Sequence, residues 1–210
     1  MKRIIDLTLT LEPAMRGVEL HQAKTLEVEG WNAKRLELYS HCGTHIDAPR
    51  HFLSTGSTID AMDLAACIGP ARVVDLTPIE PHQLITVEHL GTAAGAIGKG
   101  DRLLLRTDWH KRHGTPEYRD ALPRIHVDFA RWLVDRGVVL LGVEPPSVAK
   151  ISDRDELTSV HRALLSGGVV IVEGLAHLDQ IQAETVELTV LPLKVLDGDG
   201  APARAVAVPS

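Results

Sequence analysis

The sequence predicts an α/β protein built on a mixed β-sheet. Three observations lead there. Apolar runs of strand length outnumber helical stretches. Helices separate some of those runs, which calls for parallel pairing, whereas the last runs follow one another with no helix between them, which calls for antiparallel pairing.

The first strand is read at residues 4–10 and the second at 33–40, Ala-Lys-Arg-Leu-Glu-Leu-Tyr-Ser. A third covers 71–76, and a short helix follows at 86–96. Strands at 102–107 and 138–143 flank the clearest helix, 127–136, in which Val127, Ala130, Leu133 and Val134 fall on one stripe and Gly137 supplies the stop. A short helix at 159–165 ends at Gly167-Gly168 and leads into a strand at 169–173. Strands at 186–193 and 203–208 complete the chain.

At 210 residues the chain suits one domain, 1–210, with no flexible tether, internal repeat or low-complexity tract. Apolar residues make up 44% and charged residues 24%, but aromatics only 3%, so the core must be mostly Leu, Val, Ile and Ala. A net charge of −6 with no long Lys/Arg block argues against a nucleic-acid partner. The one basic cluster, His110-Lys111-Arg112-His113, precedes Gly114-Thr115-Pro116 and reads as a solvated loop first and a binding patch second, and either allows it to border an active-site mouth. No stretch approaches the roughly 20 apolar residues of a membrane span. Cys42 and Cys67 are the only cysteines, and Met1-Lys2-Arg3 leads into Ile4-Ile5-Asp6 rather than a signal sequence, so a reduced cytoplasmic protein is expected. A Gly-x-Ser-x-Gly nucleophile elbow and a Gly-rich nucleotide loop are both missing, which argues against a serine hydrolase and a nucleotide enzyme.

The most informative window runs from His41 to His51, His-Cys-Gly-Thr-His-Ile-Asp-Ala-Pro-Arg-His, and holds three of the 11 histidines with one carboxylate. His41, His45, Asp47 and His51 are all odd-numbered, so extended backbone would turn them to one side and Cys42, Thr44 and Ile46 to the other. This parity is firm to Asp47 and weakens at His51, because Pro49 takes the chain out of a sheet. Imidazole nitrogens with a carboxylate oxygen suit Zn²⁺, Mn²⁺, Fe²⁺ or Co²⁺ rather than calcium. The alternative is a histidine-rich surface turn without metal. Cys42 is read as a thiol lining a pocket, Gly43 as structural, and Thr44 either as structural or as a contact to a ligand. Farther along, His161 on its short helix and Glu173 at a strand end are further candidates, because a buried carboxylate invites a cation. Spacing alone equally allows Glu173 to emerge into solvent and His161 to cap its helix.

The string His41-Cys42-Gly43-Thr44-His45-Ile46-Asp47-Ala48-Pro49-Arg50-His51 resembles the HxGTHxDxPxH signature of the cyclase family of metal-dependent hydrolases, which includes kynurenine formamidases and isatin hydrolases. Leu104-Leu105-Arg106-Thr107, Pro146-Ser147-Val148, His161-Arg162, Glu173-Gly174-Leu175 and Pro192-Leu193-Lys194 extend the likeness over nearly the whole chain. The resemblance implies a swivelling β/β/α domain. It implies that His41, His45 and Asp47 hold one metal, that Asp47 bridges to a second held by His161 and Glu173, and that His51 is the catalytic acid/base. One or two divalent ions per chain follow, Zn²⁺ first and Mn²⁺ second, with a small-molecule substrate and a homodimer or larger homo-oligomer.

The activity implied is hydrolysis of a linear or cyclic amide, arylformamidase-like, by metal-activated water with His51 moving the proton. The alternatives are a lactone or ester hydrolase or a lyase-type cyclase at the same metal and, from another class, a non-catalytic metal-binding protein. Two features depart from the pattern. Kynurenine formamidases carry a tryptophan near the N-terminus that packs on the substrate, where this chain has Pro13-Ala14-Met15-Arg16 and its first tryptophan is Trp31. Glu144 and Asp108 stand where the family often has aspartate and glycine.

Overall fold

The computed structural model describes residues 3–209. Its strands, in chain order, are β1 (Ile5–Asp6), β2 (Val18–Lys24), β3 (Ala33–Leu38), β4 (His45–Asp47), β5 (Ile68–Asp75), β6 (Leu84–Ile85), β7 (Arg102–Arg106), β8 (Arg124–Ile125), β9 (Leu140–Val143), β10 (Val170–Glu173), β11 (Thr185–Pro192) and β12 (Gly200–Pro209). Four α-helices accompany them: α1 (Leu26–Glu29), α2 (Pro116–Asp120), α3 (Val127–Asp135) and α4 (Arg154–Ser166). The main sheet is ordered β1-β12-β11-β5-β7-β9-β10-β4, and β4 also pairs with β12, so the sheet closes on itself. The run β5-β7-β9-β10 is parallel and the remaining pairings are antiparallel. This is the mixed α/β architecture that the order of strands and helices predicts.

Alternation along the strands divides the core in two. Leu104, Leu140, Val172 and Ile46 turn into the closed sheet, where they meet Leu188, Val190 and the small side chains Ala201, Ala203, Ala205 and Ala207 of β12. Their neighbours Leu103, Leu105, Leu141, Val143 and Ile171 turn outward and pack under Phe129, Ala130 and Leu133 of α3 and Val160 and Leu164 of α4. Fully burying side chains of this size stabilises the fold by roughly 1.5–3 kcal/mol each before conformational entropy is counted. Alanines at alternate positions of β12 keep the closed sheet narrow.

Several elements differ from the sequence reading. The first strand shrinks to Ile5–Asp6, with an isolated bridge from Thr8 to Leu175. The stretch Val87–Ala96 is 3₁₀ rather than α, broken at Gly91, whose φ of 52° and ψ of −130° suit only glycine. Helix α4 begins five residues before the expected Ser159, because the Asp153 carboxylate accepts from the Asp155 and Glu156 amides; the charged first turn hides this start from an apolar count. The β2 strand was not expected, and the strand read at 33–40 pairs with it in a separate ribbon rather than joining the main sheet. Among the described residues no helix is long and apolar enough to cross a membrane.

Candidate metal centre

Strand register builds the site. In the antiparallel pair β4–β10, His45 lies opposite Glu173 and Asp47 opposite Ile171, while Ile46 and Val172 between them face the closed interior. His45, Asp47 and Glu173 therefore share the outer face, the side covered by α4, and α4 delivers His161. All four are buried. His161 Nε2 lies 3.5 Å from Asp47 Oδ2 and 3.4 Å from Glu173 Oε1. His45 Nε2 lies 3.6 Å from Asp47 Oδ1 and 3.2 Å from Glu173 Oε2.

Parity explains only part of the window. His45 and Asp47 are in strand, but His41 sits in the turn before β4, and His51 ends the 3₁₀ turn Pro49–His51. Gly43 makes the first turn, at φ 59°. His41 Nδ1 is 2.9 Å from Asp47 Oδ1, so it joins His45 and Asp47 in one group whose ligand atoms all lie within 4.8 Å of one another. Asp47, His161 and Glu173 form a second group of the same kind. The structure thus brings together all six residues singled out in the sequence.

The donors are set up for a cation. His45 Nδ1 is 2.9 Å from the Gly43 carbonyl and His161 Nδ1 is 2.7 Å from the Leu157 carbonyl. A carbonyl only accepts, so each Nδ1 donates and each Nε2 presents a lone pair to the cluster. His45 Nε2 and Asp47 Oδ2 are buried without a hydrogen-bond partner. A lone pair facing carboxylate oxygens in a buried space is costly unless a cation stands between them or the ring takes up a second proton. Burial lowers the His45 and His161 pKa values, but the Glu173 carboxylate beside both rings outweighs it and raises them. Burial likewise opposes protonation of His41, yet Asp47 and Asp199 push its pKa up to about 9. Nitrogen and carboxylate donors in this mixture fit a borderline divalent metal, which replaces those protons on binding.

Thr44 and Gly174 lock the two ligand segments together. The Thr44 hydroxyl donates to the Gly174 carbonyl at 2.5 Å and accepts from the Leu9 amide at 2.9 Å, which is the structural reading of Thr44 rather than a contact to a ligand. Gly174 has φ 66°, and a Cβ there would stand 2.5 Å from the Gly43 carbonyl oxygen, the acceptor that orients His45. Gly174→Ala is expected to cost about 1–3 kcal/mol and to loosen the His45 ring. Thermal unfolding with and without added metal checks this, and the metal-induced rise in Tm should be smaller in the variant.

Asp199 was missed by sequence reasoning. It lies in the Asp197-Gly198-Asp199-Gly200 turn before β12, where the pairing of Gly200 with Asp47 brings it to the site. Its Oδ2 is 3.0 Å from His41 Nε2 and 3.3 Å from His51 Nδ1, and the two rings stack with centroids 3.8 Å apart. The only sequence signal was an Asp-Gly repeat, which reads first as a turn. Burial lowers the His51 pKa, Asp47 pulls it back up, and His41 and His161 push it down again, leaving it below the ordinary imidazole value. A half-buried neutral ring at neutral pH can accept a proton.

A cavity of about 410 Å³ opens over the cluster and is lined by His41, His45, His51, His161 and Glu173. Leu9, Met15, Phe52, Ile151 and Leu157 supply apolar wall, and Cys42 also lines it, as its sequence reading held. Ala14 and Arg16 line the region where the family tryptophan was expected, and no tryptophan lines the cavity: Trp31 is exposed, and Trp109 is buried elsewhere.

The basic cluster corrects one expectation. His110 is buried rather than solvated, with Nδ1 2.7 Å from Glu144 Oε1. Glu144 also accepts from the Thr107 amide and hydroxyl and the Trp109 amide. Asp108 has φ 57°, in the left-handed region that favours glycine, and its carboxylate is held by Arg106 and Lys111. Glu144→Ala strands several buried donors and is expected to cost about 3 kcal/mol or more, a fall in Tm of roughly 10 °C, read by differential scanning calorimetry.

Comparison with known proteins agrees with the geometry. A family model described as a putative cyclase matches residues 5–150. Kynurenine formamidase of Bacillus cereus (strain ATCC 10987 / NRS 248) is 35% identical over 178 residues, 85% of this chain and 80% of the relative. Kynurenine formamidase of Salinibacter ruber is 39% identical over 175 residues, 83% and 79%. The crystal structure of an isatin hydrolase bound to the product analogue thioisatinate superposes with a TM-score of 0.90 at 25% identity, covering 99% of this chain and 93% of that one. With the signature histidines and Asp47 gathered around one buried cluster, the chain belongs to the cyclase family of metal-dependent hydrolases.

Proposed function

We infer that the protein is a metal-dependent hydrolase of non-peptide C–N bonds, opening a linear or cyclic amide, with Zn²⁺ as the first candidate metal, Mn²⁺ the second, and one or two ions per chain. The observation that carries this reading is the buried meeting of His45, Asp47, His161 and Glu173, with two polar atoms left unpartnered. The names of the relatives, kynurenine formamidase and isatin hydrolase, support an amide as substrate.

His45, Asp47, His161 and Glu173 would hold the metal, with His41 completing the side towards Asp199. When bound, a divalent ion supplies hydroxide at neutral pH, by lowering the pKa of water from about 16 to about 7, and polarises a carbonyl oxygen. His51 lies at the cavity wall beside the cluster, neutral and free to take a proton from water and deliver it to the leaving nitrogen, which departs poorly as an anion. Asp199 orients that ring and balances its charge once it is protonated. The apolar wall excludes bulk water from the reacting carbonyl.

A panel of formanilide, isatin, a cyclic imide and a lactone, assayed before and after chelation, tests the reading. Turnover of an amide that is lost on chelation and restored by Zn²⁺ or Mn²⁺ is expected. Turnover of the lactone alone would move the assignment to ester chemistry, and turnover indifferent to chelation would reject the metal.

A further inference from the structure

A second set of metal donors lies at the carboxyl ends of three neighbouring parallel strands, β7, β9 and β10, and shares no residue with the buried quartet. His110 follows β7, Glu144 follows β9, and His177 and Asp179 follow β10. One nitrogen from each of the two histidines and one Asp179 oxygen all lie within 4.8 Å of one another. Loops at this end of a parallel sheet are where ligands commonly bind.

These donors are prepared in the same way as those of the quartet. His110 Nδ1 lies 2.7 Å from Glu144 Oε1, and a carboxylate only accepts, so Nδ1 donates and Nε2 of the neutral ring turns a lone pair towards the group. Glu144 is itself fixed by the Thr107 and Trp109 amides. Asp179 divides its two oxygens. Its Oδ2 takes Lys111 Nζ at 2.9 Å, while its Oδ1 is buried with no hydrogen-bond partner. Among the described residues four buried side-chain nitrogen or oxygen atoms are in that condition, and two of the others are His45 Nε2 and Asp47 Oδ2 of the quartet. Asp179 Oδ1 stands 3.8 Å from His110 Nε2. A proton on Nε2 would find that oxygen out of hydrogen-bond range, yet the gap is close to the separation of about 3.4 Å between two donors on one tetrahedral zinc. The His177 ring meets the His110 ring edge-on, with centroids 5.1 Å apart, and closes the group from the turn after β10.

We propose that His110, His177 and Asp179 form a further binding site for a divalent metal of the zinc class, with a fourth position left to water, and that the ion ties the turns after β7 and β10 together. Two imidazoles with one carboxylate disfavour calcium and magnesium. The Lys111 ammonium on the far oxygen of Asp179 opposes a cation here, so the site fills after the buried quartet. It stands apart from the hydrolase reading, since none of its three ligands lines the cavity over the quartet.

Zinc content after equilibrium dialysis at low micromolar free Zn²⁺ tests the site in the parent, His177→Asn and Asp179→Ala. Residue 177 has φ 60°, a backbone that asparagine tolerates, so the first variant removes the ring without straining the turn. The parent should carry one zinc per chain more than either variant, and the last zinc taken up should bind the variants about tenfold more weakly or worse. Equal zinc in the parent and His177→Asn overturns the proposal. An anomalous map of the zinc-loaded parent decides the matter without any variant. A peak between His110 Nε2, His177 and Asp179 beside a filled quartet is expected, and no density at this group, whatever the state of the quartet, overturns the proposal. A peak here over an empty quartet supports this site and rejects the quartet as the metal centre, so the two assignments fail separately.

Discussion

Asp47→Ala is expected to leave the purified protein with less than about a tenth of the parent's divalent metal and to lower turnover by about three orders of magnitude or more. The expectation follows from the position of this one carboxylate. Its Oδ1 faces His41 and His45 while its Oδ2 faces His161, so both ligand groups lose a member at once. The residue is 1% exposed on a strand hydrogen-bonded on both edges, to β10 and to β12, and water cannot readily replace it. Asp47→Asn separates charge from shape: it keeps the volume and removes the anion, and it should lose metal nearly as completely while unfolding closer to the parent's temperature. Elemental analysis beside thermal unfolding reads both effects. Full metal content in Asp47→Ala would show that this carboxylate is not a ligand.

His51→Ala should behave differently. Its ring stacks on His41 and reaches Asp199, but it is absent from the buried quartet of His45, Asp47, His161 and Glu173. Metal content should stay within about twofold of the parent, while kcat falls by about 10²–10⁴-fold, the range typical of a removed acid/base group. A substrate with a better leaving group, such as an activated ester, should suffer less, because it needs less help from a proton. Equal losses on amide and activated ester would assign His51 to binding, and unchanged kcat on the amide would end its catalytic role.

The contrast between these two variants also measures how much of the site was legible in the sequence. His45 and Asp47 were readable because a strand alternates, and the structure keeps them in one. His41 and His51 were readable as members of a dense window, yet they arrive by turns at Gly43 and Pro49 that alternation does not describe. His161 and Glu173 were ambiguous on spacing, because their meeting with β4 depends on two facts that no local pattern encodes: the register Glu173↔His45, and the outer face of β10 lying under α4. Asp199 was invisible for the same reason, since the closure of the sheet through β12–β4 is a long-range pairing. The buried Glu144–His110 pair stayed hidden behind a run of four basic or titratable residues that looks solvated when read along the chain. Strand and helix types were the most legible part, because period-2 and 3.6-residue patterns survive in β7, β9, β10 and α3. The 3₁₀ stretch at Val87–Ala96 was the least, since its apolar spacing mimics a helix and the break lies in the backbone of Gly91.

The most direct measurement is anomalous diffraction from crystals of the metal-loaded protein, collected on either side of the absorption edge of zinc or manganese. A peak bounded by His45 Nε2, Asp47, His161 Nε2 and Glu173 is the predicted result, with or without a second peak beside His41. An empty map at that quartet in crystals shown to contain the metal, or a peak confined to the separate grouping of His110, His177 and Asp179, would contradict the assignment of the buried cluster as the metal centre.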